Sequence, residues 1–201
     1  MKLFLKPGAC SLSPHIALEE AGLSYETENV DLATKKTASG GNFLEVNPKG
    51  YVPALLLDSG ELLTEGPAIV QYIADQAPAR NLAPANGSLA RYQLQSWLNF
   101  IATEIHKSCT AFFHPLSKDD WKTAARANLD RRLGLLNDHL ADKPYLLGND
   151  FSVADGYLFT TLSWMKYIGI DLATLPSLAA FQARVAARPA VQKVLKDEGL
   201  A

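Results

Sequence analysis

Cysteine is scarce in this chain. The only two, Cys10 and Cys109, lie far apart and build neither a disulfide framework nor a thiolate metal site. Long apolar runs are missing as well, and none approaches the roughly 20 residues a membrane-crossing helix needs. The start, Met1-Lys2-Leu3-Phe4-Leu5-Lys6-Pro7, sets three apolar residues between lysines, short of a signal-peptide core. There is no excess of one charge: 19 Lys plus Arg stand against 21 Asp plus Glu, a net charge of −2, so no basic footprint for nucleic acid is present. Repeats and low-complexity tracts are absent. These gaps leave a protein expected in the cytoplasm with reduced thiols, without a metal, a membrane or a nucleic acid as partner.

What remains is an ordinary globular composition, 48% hydrophobic and 20% charged, over 201 residues, enough for one large domain or two small ones. The stretch with most local information runs from Asn47 to Gly66. Asn47-Pro48-Lys49-Gly50-Tyr51-Val52-Pro53 leads into the apolar run Ala54–Leu57. Asp58-Ser59-Gly60 turns it, and Glu61–Thr64 returns, which reads as a hairpin. Pro53 sits where a strand starts and tolerates a missing N–H. A cis Val52-Pro53 bond would turn the Val52 backbone outward, free to pair with an extended ligand. Pro67 suits the first turn of a following helix. Glu65 then stands beside exposed helix N–H groups, suited to a zwitterion whose carboxylate meets the N–H groups and whose ammonium meets Glu65.

In chain order, Lys2 to Leu5 reads as a strand and residues 6–10 as a loop. Ser13-Pro14 reads as the cap and first residue of a helix that Gly22 stops after Ala21. Tyr25 to Leu32 reads as a second strand, and the polar stretch through Gly40-Gly41 has room for a short helix. A right-handed crossover makes the first two strands parallel, and the hairpin adds antiparallel ones. Pro67 to about Asp75 is an apolar helix. The expected domains are 1–77, an α/β unit of βαβ then ββα order, a linker at 78–88 rich in Pro and Ala, and an all-helical domain at 89–201. In the latter, Leu89 to about Ala111, Asp119 to Leu140, Pro176 to Ala187 and Pro189 to Lys196 carry helical periodicity. Ser152-Val153-Ala154-Asp155 fits a capping box with Asp in place of Glu.

Two features carry chemistry. Cys10 follows a strand and precedes a helix, where backbone dipoles favour the thiolate and a pKa below about 8.5 is expected. Cys10-Ser11-Leu12-Ser13 has the C-x-x-C spacing of a thioredoxin-like redox site with serine as the second member, so the thiol would need an external partner. A small packed cysteine is the alternative. On the long helix, Asn99, Thr103 and His106 are spaced four and three apart, one stripe under α-helical geometry, extended backwards by Gln95. Such a stripe either faces solvent or turns to the α/β domain, where His106 could accept a proton from a thiol. His15 and His114 read as surface or packing residues.

Taken together, Cys10, the Asn47-Pro48-Lys49-Gly50-x-Val52-Pro53 segment, Thr64-Glu65-Gly66, Trp97-Leu98-Asn99, Glu104-x-His106, Phe151-Ser152-Val153-Ala154-Asp155 and Arg188-Pro189-x-Val191-Gln192 resemble a bacterial glutathione S-transferase of the beta class, over essentially the whole chain. The resemblance implies a thioredoxin-like N-terminal domain, an all-helical C-terminal domain and a homodimer. It implies that Cys10 meets the sulfur of glutathione, the co-substrate, with His106 nearby. Lys35 would reach the glycyl end, and the backbone of Val52, set by Pro53, the cysteinyl part. Glu65 and Gly66 would hold the γ-glutamyl end, with Asn99, Thr103 and Glu104 completing the site. Members often carry Tyr at the end of the first strand. Leu5 stands there and leaves Ser11 as the nearby hydroxyl. The implied activity is transfer of the glutathione thiolate to an electrophilic carbon or a disulfide. Phe113, Trp164 and Tyr167 are candidates for an apolar second-substrate pocket. A thiol transferase or peroxide-handling enzyme working through a Cys10 mixed disulfide, and a non-catalytic ligand-binding relative, are the alternatives.

Overall fold

A first strand that is apolar on both faces decides how the N-terminal unit is layered. The structure, a computed structural model, describes residues 1–201. β1 (Lys2–Leu5) pairs in parallel with β2 (Glu26–Asp31), reached through α1 (Leu12–Ala21). On its other edge it pairs antiparallel with β4 (Ala54–Leu56), which turns back into β5 (Leu62–Thr64). A two-residue β3 (Lys36–Thr37) closes the far edge and gives a five-stranded order β3-β2-β1-β4-β5. Successive strand residues face opposite sides. Phe4 therefore joins Val30, Val52, Ala54 and Phe43 of the short α2 (Phe43–Val46) on one face, while Leu3, Leu5 and Leu55 are buried on the other. The hairpin appears as its turn residues predict, and the parallel pair as the right-handed crossover predicts.

α1 begins two residues earlier than its sequence suggests. Ser13 is not its cap. Leu12 donates to the Ala9 carbonyl and Ser13 to that of Cys10, so the chain is already turning before Ser13 is reached. Ser11 occupies the cap position but spends its hydroxyl on Lys6, accepting from the Lys6 N–H at 3.1 Å and donating to the Lys6 carbonyl at 3.2 Å. Gly22 ends the helix with φ 66°, the left-handed conformation glycine takes at least cost. α3 (Gly66–Gln76) starts with proline in its first turn.

By contact the chain divides into two units, residues 1–83 with 187–201, and residues 84–186. The terminal α9 (Pro189–Asp197) thus packs with the N-terminal unit. Arg188 grips Glu20 at 2.9 Å and Lys193 grips Glu19 at 2.8 Å. The second unit is helical: α4 (Leu89–Phe100), α5 (Lys107–Phe113), α6 (Asp119–His139), α7 (Val153–Leu162) and α8 (Pro176–Ala186). α4 and α5 are one continuous rod joined by a π-helical segment, Ile101–His106. Every residue of α7 is buried, and its start is the expected capping box of Ser152 and Asp155. No helix is long and apolar enough to cross a membrane.

Candidate functional site

In the N-terminal unit the loop from Asn47 to Pro53 is folded by one buried side chain. Asn47 donates to the Tyr51 carbonyl at 2.8 Å and accepts from the Lys49 N–H at 3.1 Å, and Gly50 supplies the positive φ the turn requires. The Val52-Pro53 peptide bond is cis. The Val52 carbonyl accepts from the Cys10 thiol at 3.2 Å, while its N–H meets no acceptor of the protein. Lys35 donates to the Gly50 carbonyl at 2.7 Å, which ties it to the same loop.

Glu65 opens α3 with φ 71°, a left-handed conformation that costs a side-chain-bearing residue roughly 1–3 kcal/mol and concentrates at functional positions. One oxygen of its carboxylate, Oε1, accepts from the Lys49 ammonium at 3.0 Å and from the Tyr51 hydroxyl at 2.8 Å. The Tyr51 hydrogen bond, then the one from Lys49, hold its pKa below the ordinary value, so it is a carboxylate at neutral pH. Gly66, the first helical residue, follows it directly. The sequence alone gives Lys49 and Tyr51 no role of their own, since only the hairpin brings positions 49, 51 and 65 together.

The expectation of an acidic Cys10 thiol is overturned. Burial pushes its pKa up to about 11, outweighing the nearby N–H groups of Cys10 and Ser11, and the Glu65 charge adds to the rise. Ser11 is fully buried and committed to Lys6, so its hydroxyl closes the loop before α1.

In the helical unit the stripe of Asn99, Thr103 and His106 does not exist as drawn. The spacing assumed 3.6 residues per turn, and the wider π turn between them breaks it. Asn99 and Thr103 are exposed, with the Thr103 hydroxyl bonded to the Asn99 carbonyl. Glu104 points to α6, where Arg132 donates to it at 2.8 Å. His106 turns to α7 and the segment after it: its Nδ1 lies 2.7 Å from the Tyr157 hydroxyl and its ring 4.9 Å from that of Trp164. Phe113 meets the same Trp164 edge-on at 6.2 Å. Tyr167 stands outside this group, 66% exposed, with the Lys166 ammonium over its ring. Tyr157 was missed because nothing local marks a tyrosine inside an apolar helix as a histidine partner. Of the other histidines, His114 accepts from the Leu116 N–H and His15 is paired with Glu198 in the N-terminal unit.

Burial, aided by the Lys107 charge, pushes the His106 pKa down to about 4 from 6.5. A folded-state pKa below the unfolded one gives stability that is present above pH 6.5 and lost as pH falls toward 4. Acidification across that window is expected to cost wild type up to about 3 kcal/mol more than it costs His106→Asn. Urea denaturation of both at pH 7 and pH 4 measures it, and equal losses would remove the burial argument.

A five-stranded mixed sheet carrying a lone cysteine at the start of its first helix and a cis-proline loop against that cysteine, together with an all-helical unit, is a thioredoxin-like domain plus helical bundle. The family models for the glutathione S-transferase N-terminal and C-terminal domains match residues 1–75 and 119–196. The chain is 48% identical over 200 residues to glutathione S-transferase GstA of Escherichia coli O157:H7, covering all of both chains. Among solved structures it is similar to a ternary complex of BphK, a bacterial GST, at 62% identity and TM-score 0.98, each chain covered completely. It is also similar to a sphingomonad glutathione S-transferase complexed with glutathione, at 54% identity and TM-score 0.96, again over both whole chains. The chain belongs to the glutathione S-transferase family, with bacterial relatives, and is a transferase of that family.

Proposed function

We propose that the chain binds reduced glutathione through residues 1–77 and directs its thiolate at electrophilic carbon or at a disulfide. Residues 78–88 are assigned as linker, and residues 89–201, apart from the terminal stretch 187–201 that packs with the N-terminal unit, as the domain for a small hydrophobic electrophile. The observation that carries this reading is the Cys10 thiol resting on the Val52 carbonyl, with the Glu65 carboxylate on the same loop system. Glutathione is assigned with its cysteinyl backbone along Val52 and Pro53, its glycyl end toward Lys35, and its γ-glutamyl group at Glu65 and Gly66. Asn99, Thr103 and Glu104 keep an auxiliary role in the proposal. Cys10 is assigned to the sulfur, with His106, neutral at pH 7, as a hydrogen-bonding group near it. Phe113 and Trp164, already in ring contact, are assigned to the electrophile, and the exposed Tyr167 keeps only a peripheral part in the proposal. The reading includes a homodimer and a cytoplasmic location.

Retention on glutathione resin, followed by turnover with an aryl halide and with a glutathione mixed disulfide, tests it. Aryl-halide turnover supports conjugation, and disulfide turnover alone favours the thiol-transferase reading that a lone active cysteine suits. Retention with neither activity would point to a non-catalytic relative, and failure to be retained would contradict glutathione binding.

Glu65 provides a quantitative check. If it meets the substrate ammonium, Glu65→Ala weakens glutathione binding by about 1.5–3 kcal/mol, the scale of a charge-assisted hydrogen bond. Glu65→Gln keeps an acceptor and loses less. Unchanged calorimetric affinity in both variants would move the amine elsewhere.

A further inference from the structure

The Lys49–Glu65 ion pair has unused bonding capacity on both partners. A lysine ammonium has three donors. Lys49 spends two, on the Thr64 hydroxyl at 2.9 Å and on Glu65 Oε1 at 3.0 Å, and the third is unspent. Glu65 takes both Lys49 and Tyr51 on Oε1, and its Oε2 has no partner in the protein. One donating N–H of a cation and one accepting oxygen of an anion therefore stand side by side, the complement of an α-amino acid headgroup.

The start of α3 explains why a second donor is needed. Gly66 has no side chain, Pro67 has no N–H, and the N–H groups of Ala68 and Ile69 are already bonded to the Glu65 carbonyl. The helix offers an incoming carboxylate only the Gly66 N–H, and a carboxylate accepts several bonds. Lys49 is the cation at hand, on a loop whose path is set by the bond from its own N–H to Asn47.

We propose that Lys49 is a specificity-determining residue: it receives the α-carboxylate of the γ-glutamyl group while Glu65 takes the α-ammonium. This rests on the glutathione reading above. The ligand-free ion pair opens toward the ligand, and each partner gains a new counter-charge without losing its place. Because the pair is about half exposed, with side-chain exposures of 48% and 55%, it contributes little to folding, and its removal leaves the fold intact.

The test is calorimetric titration of wild type, Lys49→Met and Lys49→Arg with three ligands. They are glutathione, its glutaryl analogue lacking the ammonium, and its γ-aminobutyryl analogue lacking the α-carboxylate. Lys49→Met is expected to weaken glutathione and the glutaryl analogue about fivefold, the scale of an exposed ion pair, and to leave the γ-aminobutyryl analogue unchanged. Lys49→Arg retains most of the affinity for all three. Unchanged or tighter glutathione binding in Lys49→Met, or an equal loss for all three ligands, overturns the assignment to Lys49 while glutathione binding by wild type stands. Wild type that binds none of the three overturns the glutathione reading itself and this inference with it.

Discussion

Incubated with oxidised glutathione, the protein is expected to take up one glutathione per chain on Cys10, and Cys10→Ala to take up none. The Cys10 thiolate attacks the disulfide, a Cys10–glutathione disulfide forms, and one glutathione thiolate leaves. With Ser at position 13 there is no second thiol to resolve the adduct, so it persists until an external thiol attacks. Its pKa of about 11 means that only a small fraction is ionised at pH 7, so the rate of adduct formation should climb about tenfold per pH unit from pH 7 to pH 10. Cys109 is fully buried, and burial pushes it up to about 12, which leaves it unreactive while the fold is intact. Intact mass and peptide mapping decide the matter. An adduct on Cys109, or full disulfide exchange by Cys10→Ala, would end the cysteine-centred mechanism.

Asp155→Ala is expected to destabilise the protein by about 3 kcal/mol or more, since it strips the acceptor from three buried donors at about 1–3 kcal/mol each. The carboxylate is fully buried and accepts from the Leu146 N–H at 2.8 Å, the Ser152 N–H at 2.8 Å and the Ser152 hydroxyl at 2.7 Å. It thus fixes the start of α7, the helix that carries Tyr157 to His106. Burial raises its pKa from 3.8 to about 6 despite those bonds. A folded-state pKa above the unfolded one contributes stability that is present below pH 3.8 and lost as pH rises through 6. This trend opposes that of His106 over nearly the same range, so the wild-type profile is expected to be flatter than that of either Asp155→Asn or His106→Asn. Denaturant midpoints across pH 4 to 7 show it. A loss below about 1 kcal/mol in Asp155→Ala would mean the three donors find other partners.

The sheet, the hairpin and the capping box were legible because short-range rules produce them: a short continuous apolar run in Leu3-Phe4-Leu5, turn residues at Asp58-Ser59-Gly60, and paired polar groups at Ser152 and Asp155. The failures share another cause, a tertiary or non-standard contact with no local signature. Ser11 is drawn to Lys6, so α1 starts before the Ser13-Pro14 pair that resembles its cap. The π segment splits a stripe that α-helical counting assembles from Asn99, Thr103 and His106. β3 has two residues, too few to show a period. The thiolate expected at Cys10 followed from helix dipoles alone, and desolvation, which depends on the packed fold, proved larger. Tyr51, Lys49 and Glu65 form one cluster only after the hairpin closes.

The central claim is that glutathione lies along Val52 with its γ-glutamyl end at Glu65. Titration of reduced glutathione into isotope-labelled protein, followed by amide chemical shifts, tests it most directly. The account predicts saturable shifts led by the Val52 and Gly66 N–H signals, with the Lys49 signal moving at the same ligand concentration. Shifts confined to residues 84–186, with Val52 and Gly66 unmoved at saturation, would contradict it.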